Sequence, residues 1–219
     1  TAVSIPGLGR YRISAFFQRG TVGLVLRRVK TEIPTIEDQM LPKSLKNIAM
    51  AQSGLIVVSG PTGCGKSSTL AAMVDWINTQ RAAHILTVED PLEFLHSDKK
   101  GAVDQREIGI DTADFDSALR YCLRQDPDVI MIGEMRDQTS MQAAMRAAEV
   151  GRLVLTTLHT TDAAGIVPRI MDLFPQEYQE LVRIQLASVF AAGICQRLVP
   201  TILPDRVLAP AVEIIVATP

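Results

Sequence analysis

With 219 residues, 47% of them hydrophobic and 21% charged, the chain has the make-up of a globular protein of one large domain, or one domain plus part of another, which excludes composition-driven disorder. A formal net charge of −2 argues against nucleic-acid binding through bulk positive charge. The longest apolar runs, such as Leu55–Val58, are strand-sized, far below the roughly 18 residues of a membrane-spanning helix. Cys64, Cys122 and Cys195 lie far apart with no CxxC pair, which disfavours a structural zinc site. An odd cysteine count, and a start without the charged and apolar regions of a secretion signal, point to a reducing cytoplasm. The missing initial Met reads as a fragment.

In chain order, residues 10–29 alternate as two strands, Tyr11, Ile13 and Ala15 then Val22, Leu24 and Leu26, with Gln18-Arg19-Gly20 as the turn. They read as the end of a small sheet domain over residues 1–32. Residues 33–42 hold two prolines and acidic residues and read as a linker. A short helix is expected from Lys43 to about Gln52. From Gly54 strands and helices alternate. Leu55–Ser59 is a buried strand, followed by a Gly-rich turn and a helix from Lys66 to Thr79. His84–Val88 is a second strand. Asp114–Arg124 is helical, with Phe115, Ala118, Leu119 and Cys122 on one face, and Pro127 ends it. Val129–Ile132 is a third strand. Thr139-Ser-Met-Gln142 fits a capping box opening a helix that buries Met141, Ala144, Met145 and Ala148. Leu153–Leu158 is a fourth strand, Glu177–Ala192 a long helix, and Val207–Val216 supplies later strands. Residues 43–219 therefore read as an α/β domain with a mainly parallel sheet flanked by helices. Ligands of such sheets lie at the carboxyl ends of the strands.

Gly60-Pro61-Thr62-Gly63-Cys64-Gly65-Lys66-Ser67 matches GxxxxGK[ST] at every fixed position, after a strand and before a helix. Glycines let amides turn inward around phosphate oxygens, the helix start adds partial positive charge, Lys66 reaches the β- and γ-phosphates, and Ser67 offers a hydroxyl to Mg²⁺. Ser68 completes the nucleotide-binding segment. Glu134 follows the third strand, where an acid can orient water; Gly133 stands at the usual magnesium-linked Asp position. Glu89, Asp90 and Glu93 end the second strand and offer carboxylates to Mg²⁺ through water. His159 ends the fourth strand among hydroxyl residues, where it could sense a γ-phosphate; alone it reads more readily as a structural residue. His84 and His96 lack distinguishing company. Arg12, Arg19 and Arg27 lie on the hairpin, without a role fixed by spacing.

Together these segments resemble the secretion-superfamily ATPases, most closely the PilT/PilU-type motors of type IV pilus retraction. The resemblance rests on Gly60–Ser67, on Ile85–Phe94 (the family's Asp box), on Asp126–Asp137 (its atypical Walker B), on Ala148–Thr160 (its His box) and on Gln105-Arg106-Glu107. It implies a RecA-like phosphate-loop core behind a small α+β domain, with ATP and Mg²⁺ as ligands. It also implies Glu134 as catalytic carboxylate, Glu93 as organiser of water and Mg²⁺, and His159 as γ-phosphate sensor. Arg12 and Arg27, with Arg19 third, match arginines the family's first domain presents to nucleotide across a hexameric ring. The expected function is pilus retraction by pilin disassembly, at the inner face of the cytoplasmic membrane. The implied partners are a homo-hexamer, an inner-membrane platform protein and a second retraction ATPase, with peripheral membrane association and no nucleic acid. Alternatives are a nucleotide-sensing coupling subunit, the assembly or secretion branch of the family, a small-molecule kinase and a nucleic-acid motor. Three departures stand out. Arg152 replaces the earlier His of the His box; no CxxC pairs follow Gln196-Arg197-Leu198, against the assembly branch; and the family pattern continues beyond the position of Pro219 into a helical region, so the sequence reads as incomplete at that end. Phe16–Gly20 and Leu26–Ile36 look PilU-like, while the regular phosphate loop looks PilT-like.

Overall fold

The computed structural model describes residues 2–5, 7–203 and 207–217; Thr1 and Pro219, the outer limits of the two expected domains, lie outside them. Strands β1 (Ala2–Ile5), β2 (Gly9–Gln18) and β3 (Thr21–Arg28) form an antiparallel sheet in that order. The pairs Ile13↔Leu26, Ala15↔Leu24 and Phe17↔Val22 put an apolar row on one face. That row is largely open to solvent, with Phe17 85% exposed.

Residues 33–42 are docked rather than loose. Ile36 and Leu41 are buried, and Gln39 donates its side-chain amide to the Ser68 carbonyl at 3.0 Å. Then follow α1 (Ser44–Ala49), β4 (Gly54–Ser59), α2 (Lys66–Gln80), β5 (His84–Glu89), β6 (Ala102–Glu107), α3 (Phe115–Cys122), β7 (Val129–Ile132), α4 (Gln138–Glu149), β8 (Leu153–Leu158), α5 (Ile166–Met171), α6 (Gln179–Val189), β9 (Phe190–Pro200) and β10 (Leu208–Val216). The seven-stranded sheet has the order β10-β9-β4-β8-β7-β5-β6. All its pairs are parallel except β9–β10.

The central strands are buried on both faces, so they read as unbroken apolar runs. Leu55, Val57, Leu86, Val88, Ile130 and Ile132 pack on the side of α3, α4 and α6. Ile56, Val58, Ile85, Val129, Met131 and Leu155 pack against Leu70, Met73 and Ile77 of α2. Each such side chain contributes roughly 1.5–3 kcal/mol by leaving water.

Two expectations are corrected. The α4 helix starts at Gln138, and Asp137, not Thr139, caps it: the Asp137 carboxylate accepts the Ser140 N–H at 2.8 Å. Asp137 stands three residues before that amide, where an N-cap oxygen must be, and it is the stronger acceptor. The long helix expected to reach Ala192 ends at Val189, and a strand begins at Phe190. Pairing with β4 (Ile56↔Ala192 to Ser59↔Cys195) and with β10 outweighs local helix preference there.

Candidate functional site

Four parallel strands end at one cavity of about 480 Å³, a size that suits a nucleotide. It is lined by Thr62, Gly63, Gly65, Lys66, Ser67 and Ser68 after β4, by Glu89, Asp90, Pro91, Glu93, Phe94 and His96 after β5, by Gly133, Glu134 and Arg136 after β7, and by Thr157 and His159 at β8. Leu70, Ala71, Phe115 and Met131 complete its wall. The site-forming strands β5, β7, β8 and β4 lie side by side, which brings sequence-distant segments together.

The loop between β4 and α2 folds over the Lys66 side chain. Lys66 Nζ donates to the carbonyls of Gly60 at 2.8 Å and Pro61 at 3.1 Å. Burial depresses the pKa of this ammonium group, and Cys64, Glu134 and Cys195 push it back upward. Gly60 (φ 141°) and Gly65 (φ 94°) occupy positive-φ backbone that side chains rarely adopt. The first amides of α2 have no acceptor within the helix by geometry and face the loop. Thr62, Gly63, Gly65, Lys66, Ser67 and Ser68 line the cavity, whereas Gly60 and Cys64 are buried behind it and Pro61 contributes its carbonyl to Lys66.

Lys66, His159, Glu134 and Arg136 form one polar chain. Lys66 Nζ lies 3.3 Å from His159 Nδ1, and His159 Nε2 lies 3.2 Å from Glu134 Oε1. An ammonium group only donates, so Nδ1 must accept and Nε2 carries the proton that faces the carboxylate. Glu134 Oε2 accepts from Arg136 at 3.0 Å, and Arg136 also lies 3.8 Å from Asp90. This pairing with Glu134 raises the Arg136 pKa further. The β7–β8 edge is fixed by Thr157, which donates its hydroxyl to the Gly133 carbonyl at 2.7 Å. Ser59, at the end of β4, is bound by Thr160 through both its amide (2.9 Å) and its hydroxyl (2.6 Å).

The acidic segment is divided by burial. Asp90 and Glu93 are exposed, but Glu89 is only 7% exposed. Thr87 Oγ1 (2.7 Å) and Gln105 Nε2 (3.3 Å) both donate to Glu89 Oε1. Burial nonetheless raises the Glu89 pKa from 4.5 to about 7. His96 packs close by: its amide donates to Gln105 Oε1 at 2.7 Å, its Nδ1 is buried without a partner, and burial lowers its pKa to about 4. Among the described residues no three His, Cys, Asp or Glu side chains form a metal cage. The hydroxyl of Ser67 and the carboxylates of Glu89, Asp90 and Glu93 are hard oxygen donors of the kind magnesium takes alongside water and phosphate.

The remaining sequence-selected residues lie elsewhere. Arg12 and Arg27 are exposed partners across β2 and β3, and Arg19 sits in their turn; the chain does not bring them to its own cavity. Arg152 precedes β8, at the end of the strand opposite His159, about 20 Å away by strand rise; it pairs with Asp126. His84 pairs with Asp104 at 2.9 Å. Sequence reasoning missed His96 and Arg136 as cavity residues. Arg10, also missed, joins the small sheet to Glu107 at the end of β6 at 3.0 Å. Lys30, just past β3, exchanges backbone hydrogen bonds with Glu93 and Leu95, so the small sheet is tied directly to the acidic segment.

A mainly parallel sheet with a phosphate-type loop after β4, and acids at the ends of β7 and β5 on the same edge, defines a phosphate-loop NTPase fold. The family model "Type II/IV secretion system protein" matches residues 20–208, and the chain belongs to this family. It is 45% identical over 215 residues to the type IV pilus retraction ATPase PilT of Pseudomonas aeruginosa, covering 98% of this chain and 62% of that protein. It is 44% identical over 219 residues to the type IV pilus ATPase PilU of the same organism, covering 100% and 57%. The solved structure of the pilus retraction motor PilT with bound ADP superposes with a TM-score of 0.95 at 44% identity, covering 100% of this chain and 63% of that one. The chain thus spans about 60% of the length of these relatives.

Proposed function

We propose that this chain carries the ATP-hydrolysing motor of a type IV pilus retraction ATPase, acting as a homo-hexamer in the cytoplasm at the inner face of the membrane. Among the described residues no helix is long and apolar enough to cross a membrane, and attachment is through an inner-membrane platform protein, with a second retraction ATPase as a further partner. The observation that carries this reading is the single cavity where the loop of Gly60–Ser67 meets Glu134 through Lys66 and His159. ADP bound to the solved PilT structure supports a nucleotide there.

In this mechanism the amides of residues 62–68 and the Lys66 ammonium group hold the triphosphate. Ser67, with Glu89, Asp90 and Glu93 directly or through water, would hold Mg²⁺, which neutralises phosphate charge when bound. Glu134 orients water and takes its proton as the oxygen attacks the γ-phosphorus and ADP leaves. His159, hydrogen-bonded between Lys66 and Glu134, senses the γ-phosphate. Arg12 and Arg27, which do not line the cavity of their own chain, act on the nucleotide of a neighbouring subunit, as the family resemblance implies. Hydrolysis moves the small sheet against the motor domain, through the Lys30 and Arg10 ties, and pulls pilins from the fibre.

The test is phosphate release from Mg-ATP by the wild-type protein and by Lys66→Ala. Turnover in the first and its loss in the second are expected; equal background rates would instead favour a nucleotide-sensing subunit.

A further inference from the structure

We infer that Gln196 is a positioning residue for nucleotide binding, holding the phosphate loop in shape from the neighbouring strand. This rests on the proposed nucleotide site and adds a residue to it. Strand β9 runs parallel to β4 with Ser59 opposite Cys195, so Gln196 comes alongside the start of the loop. Its side chain is 2% exposed and satisfied at both ends. Nε2 donates to the Cys64 carbonyl at 2.7 Å, and Oε1 accepts from Thr69 Oγ1 at 2.8 Å.

These bonds fix the amide's orientation. A carbonyl only accepts, so Nε2 must face Cys64, and the Thr69 proton is committed to Oε1. A helical Thr hydroxyl would otherwise bond back to the preceding turn; here it ties α2 to β9. The Gln196 main chain closes the other side: a Cβ on Gly60 would stand 2.2 Å from its carbonyl oxygen, and one on Gly65 would stand 3.1 Å from Nε2. One residue therefore meets the loop and its helix at Gly60, Cys64, Gly65 and Thr69. Asparagine would be one methylene short of spanning them.

The supports that the loop supplies from within are weaker or temporary. Within it, the Cys64 amide reaches the Pro61 carbonyl at 3.3 Å. The Lys66 ammonium group bonds the Gly60 and Pro61 carbonyls, but phosphate oxygens compete for the same protons. Gln196, like the Gln39 bond to the Ser68 carbonyl, is a support that a bound nucleotide leaves in place, and among the described residues it alone bonds the Cys64 carbonyl inside the loop, so losing it weakens binding while leaving the reacting groups untouched.

The experiment compares wild type, Gln196→Leu, Gln196→Glu and Thr69→Val in the full chain, with Lys66→Ala as control. Mg-ADP affinity is measured by calorimetry, amide exchange over residues 60–68 in nucleotide-free protein, and the kcat–KM split for ATP. Gln196→Leu is expected to raise the ADP Kd and the KM about tenfold, the effect of one lost charge-free buried bond or more. Loop exchange accelerates about tenfold with kcat within about threefold of wild type, the signature of lost ground-state binding. Gln196→Glu keeps the acceptor for Thr69 but sets an oxygen against the Cys64 carbonyl, and is expected to behave like Gln196→Leu. Thr69→Val shows a smaller loss that does not add to that of Gln196→Leu. A folded Gln196→Leu protein with wild-type Kd and loop exchange overturns the inference, as does an unaltered Thr69→Val protein should Gln196→Leu not fold. Wild-type protein that binds no ADP, or Lys66→Ala that binds it equally well, instead overturns the nucleotide reading, and this inference with it.

Discussion

Glu89 and His96 sit on one short segment beside Gln105, and burial displaces them in opposite directions over almost the same pH range. The Glu89 pKa rises from 4.5 to about 7 and that of His96 falls from 6.5 to about 4. For Glu89 the folded value is the higher one. The stabilisation is complete below the unfolded value near 4.5 and is lost as pH climbs through about 7. For His96 the folded value is the lower one, so its stabilisation is complete above 6.5 and is lost as pH falls through about 4. Each shift spans about 2.5 pH units, worth ~3 kcal/mol at about 1.4 kcal/mol per unit. Between pH 4.5 and 6.5 the two slopes oppose each other, and in the wild-type protein this pair contributes almost no pH dependence. Single substitutions unmask each half. Glu89→Gln keeps an acceptor for Thr87 but does not titrate, and its stability relative to wild type is expected to rise with pH by ~3 kcal/mol between about pH 4.5 and 7. His96→Leu removes the other group, and its relative stability is expected to fall by a similar amount as pH rises from 4 to 6.5. Urea unfolding in EDTA at half-unit pH steps measures both. Superimposable pH profiles for wild type and both variants would refute the burial argument.

Other expectations follow from single contacts. Asp137→Ala should cost about 1 kcal/mol of stability, as lost N-caps do, whereas Thr139→Ala should stay within about 0.5 kcal/mol; paired urea titrations distinguish the two capping assignments. Arg10→Ala strands the buried Glu107 carboxylate and should cost about 2 kcal/mol, with faster amide exchange across β2 and β3 as the local readout. Ser67→Ala should raise the Mg²⁺ concentration for half-maximal turnover about tenfold, the effect of one lost ligand of ~1.4 kcal/mol.

The parallel core was legible because its signals are local and agree with one another. Leu55–Ser59 is an apolar run too short for a helix, a Gly-rich turn follows, and Lys66 opens a helix, so strand, loop and helix were placed together. The strands at 84–89, 129–132 and 153–158 carried the same signature, and with them came the acids and His159 at their carboxyl ends. What stayed hidden depends on pairing rather than pattern. The β6 segment Ala-Val-Asp-Gln-Arg-Glu is polar because it is an edge strand with β5 on one side alone. The β9 segment begins Phe-Ala-Ala, equally at home in a helix, and becomes a strand because β4 and β10 flank it. For that reason Gln196 could not be placed beside the loop. His96 was hidden likewise, since nothing in its neighbours reveals that the chain turns it into the cavity wall.

In the proposed mechanism Glu134 takes the proton from water at a nucleotide held by Lys66 and the loop amides. The most direct measurement pairs ATP affinity with single-turnover hydrolysis in Glu134→Gln, a substitution that keeps the shape and removes the base. ATP binding within about threefold of wild type is expected, with hydrolysis slowed by at least about a hundredfold, the lower end for a lost general base. Hydrolysis at the wild-type rate in that variant would contradict that mechanism.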